Sequence, residues 1–237
     1  ADFPACKNEL ALKVAPSVDG LKRCRQVSNA SPEILIIGDS HGEHLFPGLA
    51  QNIPGAEVGY WLTPMPNIDG NETHLDVLVS EASENPEVRV VILNFFWRAA
   101  SFDAQKIEEA AGGLSDAGKN VVIANDIPNF PFAADVCSAT YVIPSFQPDC
   151  IAQREPKSQT GDDEVTKKLS DIAETSDATV VDTFSVFCDD QLCSMLRSQD
   201  LMYRDSNHLS LNGSDVVGKA LKPFLLGLLG EGGHVAR

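Results

Sequence analysis

Five short runs dense in large apolar residues, at 34–37, 56–61, 88–94, 120–124 and 178–182, recur along this chain. Runs such as Ile34-Leu-Ile-Ile37 lack the polar alternation of a half-exposed sheet and read as strands buried on both faces. Between and after them, segments at 41–51, 73–83, 105–117, 162–175 and 214–229 carry apolar residues at helical spacing, and Gly118 stops the third. Strand and helix alternating five times predicts an α/β domain whose five-stranded parallel sheet is covered by helices on both faces. The 237 residues, 43% hydrophobic and 22% charged, fit one sizeable domain with a full core and a small appendage. Residues 1–30 are expected to be that appendage, packed on the domain without building its sheet, with residues 31–237 forming the domain proper. The long, Pro- and Phe-rich connection at 125–160 is expected to be functional or separately braced.

The first run stops abruptly at Gly38-Asp-Ser40, and helical spacing begins at His41. A strand that turns straight into a helix places the turn at the carboxyl edge of the sheet, where open α/β folds bind ligands. Asp39-Ser40 reads equally as a helix N-cap or as a nucleophile beside the positive end of a helix dipole. Asp205 and His208, near the other end, are three residues apart, so a turn or helix puts both side chains on one side. If that segment reaches the same edge, Ser40 is the nucleophile, His208 the base and Asp205 the group that orients the base. His41 is a candidate substrate contact. His44 shares the face of Ser40 by spacing, but reads as a solvated helix residue. Trp97 and Arg98 follow the third strand and could line a sugar site by stacking and hydrogen bonding, although Trp97 reads equally as core. Asp182 is expected to cap the turn after its strand, and His74 and His234 to lie at the surface.

A net charge of −16 repels phosphate backbones, so nucleic acid is not an expected partner. No apolar run is long enough to span a membrane, and no basic-then-apolar signal region opens the sequence. The chain is expected to be a mature form or a domain cut from a longer protein. Six cysteines fall in three local pairs, Cys6 with Cys24, Cys137 with Cys150 and Cys188 with Cys193. Each pair lies in a loop-like region, which predicts three local disulfides and an oxidising compartment; six reduced core thiols are the alternative. Neither Cys-x-x-Cys nor finger-type spacing occurs, so zinc is poorly supported.

Gly38-Asp-Ser-His41 and Asp205-Ser-Asn-His-Leu-Ser210 resemble the first and last blocks of the SGNH/GDSL hydrolase superfamily. They are most similar to the SGNH domains fused to, or partnered with, acyltransferase family 3 membrane proteins. The resemblance spans about residues 33–229. It implies a flavodoxin-like three-layer α/β/α sandwich and acyl transfer through an acyl-serine at Ser40, with no metal or organic cofactor. It further implies oxyanion donors from Ser40, from a glycine in the second block and from an asparagine in the third. Gly70 and Asn94 stand nearest those places, although the third block's Gly-x-Asn-Asp is absent and Asn94 reads equally as a strand-end residue. The implied protein is a periplasmic or extracellular domain that passes an acyl group, usually acetyl, to a surface polysaccharide such as O-antigen. Its partners would be a glycan acceptor, an acyl donor and an acyltransferase family 3 membrane domain in the same or another chain. The isolated domain is expected to be a monomer. A carbohydrate acetyl esterase with the same triad, or a glycan-binding module with a vestigial one, are the alternatives. The α/β-hydrolase fold is set aside, because Ser40 lies in the first strand turn and not in a mid-chain Gly-x-Ser-x-Gly elbow.

Overall fold

A computed structural model of the chain describes residues 3–67, 73–98, 102–138, 150–153, 162–198 and 200–230, without the side chains of 138, 151–153 and 162–163. A short helix α1 (Glu9–Val14) precedes strand β1 (Cys24–Gln26). Then β2 (Ile34–Gly38), α2 (Ser40–Asn52), β3 (Val58–Leu62), α3 (Leu75–Glu84), β4 (Val90–Asn94), α4 (Ala104–Asp116), β5 (Asn120–Ala124), α5 (Asp162–Ser176), β6 (Thr179–Val181) and α6 (Leu211–Gly230) follow. The sheet runs β1-β3-β2-β4-β5-β6. The last five strands in that order are mutually parallel, as the alternating pattern predicts.

Every residue of β2 and β4 is buried. Ile34 and Ile36 point to one face, packing with Leu45, Leu49, Val217 and Leu221 of α2 and α6. Leu35 and Ile37 point to the other, packing with Leu75, Leu78, Ile107 and Leu114 of α3 and α4. Such side chains contribute about 1.5–3 kcal/mol each on burial, which fixes the register of the central strand and everything that follows it.

Residues 1–30 do not stay outside the sheet. Cys24, Arg25 and Gln26 pair antiparallel with Trp61, Tyr60 and Gly59, and so add a sixth strand at the edge. Cys24 and Gln26 are buried while Arg25 is not, an alternation too short to register as a strand in sequence. The Cys6–Cys24 disulfide anchors this strand, and Cys137–Cys150 and Cys188–Cys193 are the other bridges.

Two helices on one face approach closely. A Cβ on Gly48 of α2 would stand 1.8 Å from the Ser214 carbonyl oxygen, and one on Gly218 of α6 would stand 2.3 Å from the Gly48 oxygen. Ser214 Oγ accepts the Gly48 N–H at 2.8 Å across the same contact. This seam holds the start of α6, and the loop just before it, against α2. The last helix begins at Leu211, earlier than its apolar spacing suggests.

Candidate active site

Strand order reverses between β2 and β4, so the crevice at their carboxyl ends is the topological switch point of the sheet. Gly38 ends β2 opposite Asn94 of β4, and a Cβ there would stand 1.7 Å from the Asn94 carbonyl oxygen. Only glycine lets β2 run this close before turning. Asp39 then caps α2: its Oδ1 accepts the His41 N–H at 2.8 Å and its Oδ2 accepts the Phe96 N–H at 3.0 Å. Burial raises the Asp39 pKa, opposed by the neighbouring His41 and by these two N–H groups. The capping reading therefore applies to Asp39, and it leaves Ser40 as the first helical residue with its hydroxyl unspent.

The segment 203–210 supplies the partner. Tyr203 bridges to Leu209, and Arg204 N–H donates to the His208 carbonyl at 2.9 Å, so the segment is a tight, closed turn. Inside it, Asp205 Oδ1 accepts the N–H groups of Asn207 and His208 at 2.9 and 2.7 Å. Its Oδ2 lies 2.9 Å from His208 Nδ1. Burial pushes the Asp205 pKa up, but the Asn207 and His208 N–H groups and the imidazole outweigh it and bring it below the ordinary value. An ionised carboxylate only accepts, so His208 Nδ1 carries the proton and Nε2 presents a lone pair. Ser40 Oγ is 2.8 Å from that Nε2 and donates to it. Burial, and then His41, hold the His208 pKa below its usual value, while Asp205 pulls it up. The base is therefore neutral at neutral pH and able to take a proton. Serine, imidazole and carboxylate from opposite ends of the chain thus lie in hydrogen-bonding sequence.

Other residues singled out in the sequence take different places. Asn94 is buried and its Nδ2 donates to the Ala124 and Asn125 carbonyls at 3.0 and 3.5 Å. These contacts tie the end of β4 to β5, as the strand-end reading of Asn94 expects. Gly70 lies outside the described residues. Trp97 is buried, donates from Nε1 to the Ala124 carbonyl at 2.8 Å and packs on Phe95 and Phe102, so it is core and not a stacking platform. Arg98 sets its guanidinium over the Phe184 ring, 4.7 Å from the centroid. His41 is 1% exposed, too buried to touch a substrate. Asp182 caps as expected, accepting the Ser185 N–H at 3.1 Å.

Two site residues escape a reading by spacing alone. His44 is not solvated; it is 6% exposed, and its Nδ1 accepts the Leu209 N–H at 3.4 Å. Burial holds its pKa well below the usual value, which keeps it a neutral acceptor for the residue after the base. Asp126 accepts His41 Nδ1 at 2.9 Å. Its position just past β5 was the available signal, because residues at that edge of a parallel sheet surround the crevice. The i, i+3 spacing of His41 and His44 was the other.

The family described as the SGNH domain fused to AT3 domains matches residues 6–223. No curated protein sequence matches the chain. Among solved structures, the periplasmic domain of a lipopolysaccharide acetyltransferase from Salmonella ser. Paratyphi A superposes with a TM-score of 0.66 at 16% identity, over 84% of this chain and 85% of that one. A putative SGNH hydrolase from Slackia heliotrinireducens gives 0.51 at 18% identity, over 83% and 100%. The native aryl esterase of M. smegmatis gives 0.50 at 16%, over 84% and 100%. At these identities the likeness is one of fold. Among the described residues, no helix is long and apolar enough to cross a membrane.

Proposed function

The chain belongs to the family of SGNH domains fused to AT3 domains, and from that premise we propose that it is an extracytoplasmic O-acyltransferase domain that moves an acyl group, acetyl by preference, onto a surface polysaccharide. The observation that carries the reading is the 2.8 Å contact between Ser40 Oγ and His208 Nε2, with Asp205 behind the ring. A triad in hydrogen-bonding register supports catalysis over a binding module with vestigial residues.

The steps follow from the atoms. His208 Nε2 takes the Ser40 proton as Oγ attacks the acyl carbonyl, and Asp205 stabilises the imidazolium that forms. The oxyanion develops at the start of α2, where the Ser40 N–H and the helix dipole favour negative charge. The tetrahedral species collapses, His208 returns the proton to the leaving group, and the acyl group stays on Ser40. An incoming sugar hydroxyl gives its proton to Nε2 and attacks the acyl-serine; collapse frees Ser40, which takes the proton back. Arg98, at the rim and braced on Phe184, is our candidate contact for the glycan. An AT3 membrane domain, in the same or a partner chain, would supply the donor.

The test is acyl fate. Purified domain with an activated acetyl ester should give acetylated glycan when polysaccharide is added, with hydrolysis suppressed. Hydrolysis that acceptor leaves unchanged would instead assign the same triad to an acetyl esterase. No turnover of any acyl ester would return the chain to the binding-module reading.

A further inference from the structure

His41 directly follows the serine, yet no step above uses it. Its ring is clamped. Nδ1 lies 2.9 Å from Asp126 Oδ1, and the Asp126 carboxylate also accepts the Ile127 N–H at 3.1 Å and the Arg98 N–H at 3.4 Å. The carboxylate is buried too, and Nδ1 must be the donor to it. One face of the ring stacks on Phe96, with centroids 4.5 Å apart and planes 16° apart. The His208 ring centroid is 5.0 Å from that of His41, and the His44 centroid 4.9 Å. Among the described residues, His41 Nε2 is buried without a hydrogen-bond partner.

We propose that His41 is a positioning residue for His208: clamped by Asp126 and stacked on Phe96, its ring is the fixed wall against which the His208 imidazole is held in line with Ser40 Oγ. The inference rests on the acyl-transfer reading. Asp205 restrains only the Nδ1 edge of His208, from a loop where its own side chain is 44% exposed. A ring held at one edge can rock, and each rocking motion takes Nε2 off the Ser40 hydroxyl. The wall removes that freedom. His41 also bears on the His208 pKa. The groups facing His208 are Asp205 and Arg204 from its own loop and His41 and His44 from α2, while Asp126 and Asp39 face His41. After burial, His41 is the next largest influence keeping the His208 pKa down. It therefore keeps the base both in place and unprotonated.

The experiment compares His41→Asn, which keeps a donor for Asp126 but loses the ring, with His41→Phe, which keeps a ring but loses the donor. Turnover of an activated acetyl ester is measured across pH, and the His208 pKa is followed by ring-proton NMR. Expected for His41→Asn is a kcat at least about tenfold lower with KM within about twofold, the acid limb of kcat/KM displaced to higher pH, and the NMR pKa displaced the same way. His41→Phe should retain more kcat while showing the same displacement. If whichever variant folds keeps wild-type kcat and a wild-type His208 pKa, the inference is overturned. A lower kcat with no change in that pKa also overturns it, since His41 would then serve the fold alone. Ser40→Ala run in parallel separates the two claims: full turnover there defeats the acyl-transfer reading, while the NMR titration still judges His41.

Discussion

Replacing Asp205 with Asn tests the triad through hydrogen-bond direction alone. The two atoms of the side-chain terminus have different duties. Oδ1 accepts two main-chain N–H groups, from Asn207 and His208, and stands 3.1 Å from His208 Nδ1, while Oδ2 faces that nitrogen more closely, at 2.9 Å. An Asn at 205 must keep its oxygen toward the two N–H donors, because an amide nitrogen there would face donors with a donor. Its NH2 then falls opposite His208 Nδ1. A donor at that edge selects the tautomer with the proton on Nε2, where it meets the Ser40 hydroxyl instead of a lone pair. Nothing then takes the serine proton. The loss of a correctly oriented base of this kind is worth about four decades in kcat, or about 5.4 kcal/mol of transition-state stabilisation. The turn's main-chain bonds survive the exchange, so unfolding temperature should move little. Initial rates on an activated acetyl ester, with thermal unfolding of the same samples, measure both. A folded Asp205→Asn protein within about tenfold of wild-type kcat would refute the reasoning. Asp205→Ala should lose both the rate and part of the loop's stability, since it also removes the acceptor for two N–H groups.

Stability should fall in mild acid. Burial holds His44 well below its usual pKa, and His208 is lowered in the same sense. The unfolded chain therefore takes up these protons first, so the stabilisation is complete above the unfolded value of about 6.5 and is lost as pH drops below it. Asp39, whose pKa burial raises, acts in the opposite sense at lower pH. Tm should decline between about pH 7 and 5.5, and His44→Asn should flatten the decline; a flat wild-type profile would contradict the burial of these rings. Two glycines should respond oppositely to alanine. Gly48→Ala drives a methyl into the Ser214 carbonyl and should cost about 2 kcal/mol or more, as overpacking does. Gly112→Ala, in α4 with no atom of the described residues within 4 Å of its Cβ position, should gain up to about 1 kcal/mol. Urea unfolding of both variants distinguishes them from a loosely packed seam, which would show no cost at Gly48.

The central sheet was legible because its strands are buried on both faces and carry unbroken apolar runs at 34–37 and 90–93. The edge strand Cys24–Gln26 was not, since three residues with an arginine between them carry no period. Ser40, His208 and Asp205 could be paired in advance because a serine nucleophile needs a base and an orienting carboxylate, and because the two blocks that hold them resemble the end blocks of one superfamily. His44 and His41 were misjudged for a shared reason. A histidine on a helix exposes no sequence mark of what will cover it, and here the covering comes from residue 209, from Asp126 after β5 and from Phe96 after β4. Asn94 read equally as an oxyanion donor and a strand-end residue, because side-chain direction at a strand end depends on neighbours such as the Ala124 carbonyl, to which its Nδ2 donates.

The central claim is that the hydroxyl at the first sheet edge becomes acylated during turnover. Rapid quenching of the domain in an activated acetyl ester, followed by peptide mass spectrometry, tests it at the atom concerned. The account requires an acetyl group on the peptide bearing Ser40, lost when glycan acceptor is added before the quench and never formed in Ser40→Ala. Steady turnover with no acetyl on that peptide, and with Ser40→Ala as fast as wild type, would contradict it.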